Sequence, residues 1–372
     1  MVMTILKGKE PKDVIAIFVI ALVISFLVYL AVITVYPKET YYFNKPSINE
    51  TVKKIDVQLN FQVYVNDKLV VNKWNNGLTE NFIKIIKSSL QQSGVYLKKE
   101  NGADTENKVE YFEVNNAACS TCNDKITVKL GTTTYSSNVA FDMYSIASSE
   151  YVSFTGFPSK NCTVNADNAT ITYEWSYTAT SSFTFYEVGI YRNLFYLYSG
   201  NWKNVNFLLV YEDIPDGVSV ETDDVVKIKL IFVCEKSFTE TFTVKFASSF
   251  LDKIFYTNYN DDDDVYIWEG IQYRWIEIGE DCFSVDSASS GEICSTNYVE
   301  LHHETRTYYT NADKTQCTVE LKVTYTPDTN VPVKEICWGF SNTNIGYCKK
   351  FDTTLQKDVP YVIKVLITFP TG

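Results

Sequence analysis

Ile55-Asp-Val-Gln-Leu-Asn-Phe-Gln-Val-Tyr-Val65 sets Ile55, Val57, Leu59, Phe61, Val63 and Val65 against Asp56, Gln58, Asn60, Gln62 and Tyr64. A period of two is the pattern of a strand with one packed face and one wet face. Asn66-Asp67 then supplies a turn, and Leu69–Trp74 returns. One helix follows, predicted over 79–92. Leu78, Phe82, Ile85, Ile86 and Leu90 form its apolar stripe, Thr79 its N-cap, and Gly94 its stop.

Beyond Gly94 the pattern returns to short strands. They are expected at Val109–Val114, Ile126–Leu130, Ile171–Tyr177, Phe183–Tyr191, Phe207–Tyr211 and Val225–Val233, with Pro215-Asp216-Gly217 as a turn. Aromatic residues make up 15% of the chain, including 27 Tyr and 23 Phe, and these suit pleated surfaces. The reading is all-β: antiparallel sandwiches of jelly-roll type rather than βαβ units.

The chain also compares with itself. Ile126–Gly131 resembles Trp275–Gly279, Thr170–Thr178 resembles Thr318–Thr326, and Glu187-Val188-Gly189 resembles Glu335-Ile336-Cys337, all at an offset of 148. Val226–Phe232 matches Ile363–Phe369 across a changed gap, and the helix near Phe82 has a counterpart at Phe250–Phe255. The expectation is therefore two tandem β-sandwich domains, 55–236 and 237–372.

Upstream, Val14–Tyr36 holds twenty-three residues without a charge, closed by Pro37. As a helix it would rise about 34 Å, enough to cross a bilayer. It reads as a transmembrane anchor, with 1–13 a polar lead and 37–54 a stalk. It is too long for the apolar core of a signal peptide, and TVYPKET lacks a small-residue cleavage pattern. Three acceptor patterns for N-glycosylation, at Asn49, Asn161 and Asn168, all lie beyond this span, as do the nine cysteines. These place the N-terminus inside and the β-body outside.

The net charge of −12 is the wrong sign for nucleic acid and for anionic headgroups, so attachment falls to the bilayer through 14–36. Cys282/Cys294, Cys337/Cys348 and Cys119/Cys122 are disulfide candidates; a zinc site would need further ligands at matching spacing. In Asn258-Tyr-Asn-Asp-Asp-Asp-Asp264, the oxygens of Asn258, Asn260, Asp262 and Asp264 are a calcium candidate, without the glycine and distal glutamate of an EF-hand. No cofactor is expected. No G-x-S-x-G, H-E-x-x-H or phosphate-loop motif appears, and the only two histidines, His302 and His303, are adjacent. The chain does not read as an enzyme.

Each copy runs helix, strand ending in Gly, long strand, E-V-G-I-Y strand and final alternating strand. Phe185-Tyr-Glu-Val-Gly-Ile-Tyr191 and Asp224–Phe232 resemble the β-sandwich modules of tailed-phage fibres and decoration proteins. With the anchor added, the chain resembles the turret or spike proteins of archaeal icosahedral viruses that have an internal membrane. The second copy departs from the pattern, with Cys337-Trp338 in place of Gly189-Ile190. The resemblance implies a virion surface protein assembled with five-fold or three-fold symmetry, touching capsid proteins and a host receptor. Tyr196, Tyr198 and Trp202, in NLFYLYSGNW, are its interface candidates. The rival readings are an anchored cell-envelope adhesin or pilus-like subunit, and thirdly a hydrolytic ectodomain.

Overall fold

A computed structural model describes residues 49–91, 93–114, 125–133, 139–164, 168–235, 251–255, 265–266, 275–279, 298–302, 305–341 and 344–371. The opening alternation is realised, but as two strands in two different sheets. β1 (Asn49–Asp56) and β2 (Gln58–Val65) are separated only by Val57. The first sheet is ordered β3 (Lys68–Trp74), β2, β11 (Val225–Glu235), β8 (Asn168–Thr178), β7 (Ser159–Val164). The second runs β12 (Val265–Tyr266), β4 (Tyr111–Glu113), β9 (Phe183–Tyr198), β5 (Ile126–Gly131), β6 (Tyr151–Thr155), with β10 (Asn201–Val220) paired to β9. β1 opens the third, followed by β19 (Tyr361–Pro370), β16 (Gln316–Tyr325) and β15 (Thr305–Thr310). The fourth is β14 (Tyr298–His302), β13 (Trp275–Gly279), β17 (Val331–Ser341), β18 (Asn344–Leu355). From Glu50 onward the chain forms one compact unit.

The apolar rows of the sequence are the buried rows of the sheets. Leu59, Phe61 and Val63 on β2 point inward with Ile171, Tyr173 and Trp175 on β8 and Val226, Ile228, Leu230 and Phe232 on β11. The register joining β2 to β11 pairs Phe61 with Leu230 and Val63 with Ile228, so one slip would turn every one of these side chains to water. Asn66 and Asp67 both have positive φ, as the two-residue turn between β2 and β3 requires.

The expected helix is α1 (Glu80–Gln91). Thr79 caps it: its hydroxyl accepts from the Phe82 N–H at 3.5 Å and donates to the Leu208 carbonyl at 2.8 Å. A short second helix, α2 (Asp252–Phe255), brings Phe255 onto Phe82, with ring centres 5.9 Å apart. Phe232 of the first sheet and Phe369 of the third close on the same pair, at 6.4 and 5.9 Å from Phe82. Gly94 sits where a Cβ would come within 2.9 Å of the Val109 carbonyl, so close backbone approach explains it.

The repeat is visible in the strand plan. In order of pairing, β6-β5-β9-β10 corresponds to β14-β13-β17-β18, and β7-β8-β11-β2 to β15-β16-β19-β1. The register repeats too. Gly131 lies opposite Glu187 and Gly279 opposite Glu335, each 148 positions on.

Several expectations are corrected. The last residues of the stalk, from Asn49, are strand β1, because they pair with β19. The division at 236/237 is crossed twice, by β1 joining the third sheet and by β12 joining the second. Val226 corresponds to Tyr361 rather than Ile363, since Tyr177 faces Val226 and Tyr325 faces Tyr361. The two-residue slide keeps the same faces buried. Pro215-Asp216-Gly217 does not reverse the chain. Its register steps from Asp213 opposite Glu187 to Val218 opposite Phe185, an irregularity within β10 where Gly217 has φ +68°. Strand β4 is shorter than the expected Val109–Val114. Val14–Tyr36 lies outside the described residues; among those described, no helix is long and apolar enough to cross a membrane.

Candidate functional site

The E-V-G-I-Y stretch on β9 has a structural explanation. Val188 and Ile190 face the core, so Glu187, Gly189 and Tyr191 share the opposite face. Over that face lies the segment 139–150, which includes a short 3-10 turn at Ala140–Asp142. Glu187 is fully buried and accepts the backbone N–H groups of Ala147 at 2.9 Å and Ser148 at 2.5 Å. Tyr191 accepts the N–H of Ile146 at 2.8 Å, and burial pushes its phenol pKa up. A Cβ at Gly189 would meet Ile146 at 2.7 Å, and one at Gly131 would meet Glu187 Oε1 at 2.6 Å. The motif is a clasp holding a covering segment. Lys129, paired with Glu100 at 2.9 Å, lies 4.4 Å from the Tyr191 ring centre and closes its end.

At its far end β9 turns into β10 through Ser199 and Gly200, both with positive φ. Tyr196, an interface candidate by sequence, is corrected to a core residue. It is 2% exposed, and its hydroxyl donates to Glu106 Oε2 at 2.6 Å. Lys99 also bonds Glu106, and with Tyr196 it holds that carboxyl down at about 2. Trp202 is half-buried, edge-on to Tyr111 at 5.2 Å. Tyr198 is exposed, as is Leu197, which sequence reasoning passed over. Alternation along β9 would have separated Tyr196 from Leu197 but not from Tyr198; it takes the Glu106 contact to tell the two tyrosines apart.

The glycosylation candidates fall on paired strands. Asn161 is exposed on β7, and Asn168 begins β8. The threonines that complete both patterns, Thr163 and Thr170, face each other in register with hydroxyls 2.6 Å apart. Asn49 opens β1. Among the cysteine pairs, Cys337 and Cys348 stand directly opposite on β17 and β18. Opposed antiparallel residues have Cα atoms about 4.5–5.5 Å apart, within the range a disulfide spans. Cys119, Cys122, Cys282 and Cys294 lie outside the described residues, as does the calcium candidate from Asn258 through Asn260 and Asp262 to Asp264. Cys317 is buried, its thiol pushed up to about 12 by desolvation. Among the described residues no group of three His, Cys, Asp or Glu side chains is placed to hold a metal.

One buried acid escaped sequence reasoning. Glu212 on β10 is fully buried, and neither carboxyl oxygen has a hydrogen-bond partner among the described residues. Lys73 Nζ stands 3.9 Å away but spends its hydrogen bonds on Asp213. Burial raises the Glu212 carboxyl to about 8, Lys73 opposing and Asp213 adding to the shift. Nothing in the local sequence, Tyr211-Glu-Asp213, marks it out.

Comparison with known protein families, with curated proteins and with solved structures yields no match.

Proposed function

We propose that this chain is a membrane-anchored structural surface protein of a virion, a turret, spike or vertex component serving assembly and host attachment. The observation that supports this best is the duplicated strand plan following an uncharged stretch long enough to cross a bilayer. A doubled β-body on one tether suits projection and repeated contact. Two of its buried charged groups, Glu187 and Lys129, are bound up in holding the 139–150 segment and its surroundings.

In this reading each half is a β-sandwich, with β1 lent to the second. Residues 14–36 sit in the lipid bilayer with the N-terminus inside, and copies assemble around a five-fold or three-fold axis against capsid proteins. The exposed Leu197–Tyr198 tip is the subunit contact, because it presents apolar area at a rigid hairpin end. Multivalent display lets weak individual contacts to a host receptor add up. Cys337–Cys348 is disulfide-bonded, and Asn161 and Asn168 carry glycans.

Peptide mass spectrometry on virus-sized particles, against washed cell envelopes from the same culture, tests the reading. Enrichment in the particles at a vertex-like stoichiometry is expected. Enrichment in uninfected envelopes would overturn it in favour of the anchored adhesin.

A further inference from the structure

Among the described residues, the outer face of the third sheet is partly open. On β16, Cys317 and Val319 point into the core, so Gln316 and Thr318 point out; on β19, Ile367 and Phe369 are buried, and Leu366 and Thr368 face the other way. Tyr309 of β15 stands opposite Thr318, and Thr318 opposite Thr368, giving one outward row across three strands. The β1–β2 corner and the residue after β3 form the facing wall. Asp56, Gln58, Asn75, Gln316 and Tyr309 thus line a groove of about 590 Å³.

Half of the eight polar side chains lining this groove are unspent among the described residues; Thr315 is bonded to Asn311 and Asp313. Thr318 and Thr368 share one hydroxyl contact at 3.3 Å, and Asn75 Oδ1 accepts from Leu59 N at 3.4 Å. The Asp56 carboxylate, the Gln58 and Gln316 side-chain amides and the Tyr309 phenol make no hydrogen bond or ion pair among the described residues. Tyr309 is 49% exposed. Among the described residues, no lysine or arginine lines the groove.

We propose that this groove binds a neutral saccharide, a hexose or N-acetylhexosamine unit of a surface glycan. Vicinal hydroxyls each donate and accept, and planar amides and a carboxylate at close quarters answer both needs. An exposed phenol ring offers a flat apolar face for the C–H side of a pyranose. The Asp56 carboxylate and the chain's net charge of −12 disfavour sialic and uronic acids, which would bring a second anion to a lining with no cation among the described residues. The volume suits one or two sugar rings, with the rest of the glycan running out along the open sheet.

This rests on the body facing outward, but binding by the isolated chain succeeds or fails independently of where the chain is found. The test is saturation-transfer NMR on the full chain in lipid nanodiscs, which avoids glycoside detergents. Probes are the methyl glycosides of glucose, galactose and mannose, N-acetylglucosamine, and N-acetylneuraminic acid as the charged control. Transfer to at least one neutral sugar is expected, with roughly tenfold or greater loss of affinity in Tyr309→Ala and in Gln316→Ala. Tyr309→Phe retains the stacking ring and keeps most of the signal. Both positions lie on the sheet surface, so unchanged circular dichroism serves as the folding control. Absence of transfer to every neutral sugar overturns the proposal. So does transfer that survives both alanine variants, or a preference for N-acetylneuraminic acid.

Discussion

The two halves of this chain share a strand plan and a register and fill them with different chemistry. In the first, Gly189 lies opposite Tyr211; at the matching place in the second, Cys337 lies opposite Cys348. The glycine clears room for Ile146, and Tyr211 joins Ile146, Tyr191 and Leu208 in a small second core under the 139–150 segment. At the position of Tyr191 the second half has Gly339. One scaffold gains a packed cover at this point, the other two cysteines in register. The retained Gly–Glu pairing, Gly131 with Glu187 and Gly279 with Glu335, marks what the plan itself demands.

The largest expected effect tests whether the halves are independent at all. Phe82→Ala removes the ring that touches Phe232, Phe255 and Phe369, at a cost of about 3–5 kcal/mol. Urea unfolding followed by intrinsic fluorescence should remain one transition with a lower midpoint. Two separated transitions would show that each half stands alone.

Glu212 belongs to the first half only, and its effect should be a few kcal/mol at most. Its folded-state pKa of about 8 lies above the ordinary 4.5, so the folded chain holds a proton that the unfolded chain releases. This group's contribution to stability is therefore greatest below pH 4.5, falls as pH rises toward 8, and is constant above that. Lys73 and Asp213 are the charged groups beside it. Glu212→Gln should flatten that part of the stability–pH curve. An unchanged slope between pH 5 and pH 8 in thermal melts would place the titration elsewhere.

Glu187→Ala strands the backbone N–H groups of buried Ser148 and exposed Ala147 and should cost about 1–3 kcal/mol. Hydrogen exchange should quicken at Ala147 and Ser148 first. If Glu335→Ala costs as much, the shared pairing does the same task twice; if it costs nothing, the second half has lost the clasp. Smallest is the effect of the proposed Cys337–Cys348 disulfide, whose short loop would make its reduction worth about 2 kcal/mol. Non-reducing peptide mapping should recover the two cysteines joined, and separate peptides would remove the contrast with Gly189 and Tyr211.

Much of this fold is legible where local chemistry and tertiary context agree. The alternation of Leu59, Phe61 and Val63 predicts a half-buried strand, Thr79 predicts a cap, and the offset of 148 anticipates the repeated register. What escapes is decided at a distance. The alternation of Ile55–Val65 runs unbroken through Val57, and only the partners β19 and β11 reveal a change of sheet there. Pro215-Asp216-Gly217 has the residues of a reversal, yet Val218–Val220 still pairs with β9 and holds the chain straight. Of the interface candidates, Tyr198 is exposed, while Tyr196 is buried with its hydroxyl on Glu106, ninety positions away. The groove beside Tyr309 draws on five separated stretches, and no window of sequence contains it.

The exchange of sheets at Val57 sets a timetable for synthesis. β1 leaves the ribosome early, but its hydrogen-bonding neighbour β19 begins about 300 residues later. At translation rates of roughly 5–20 residues per second, β1 waits about 15–60 s for its place in the third sheet. Through that interval it is a free edge next to an already pairable β2, open to any strand that passes. A neighbouring nascent copy could supply one, so crowding on a polysome is where this architecture is most exposed to misassembly.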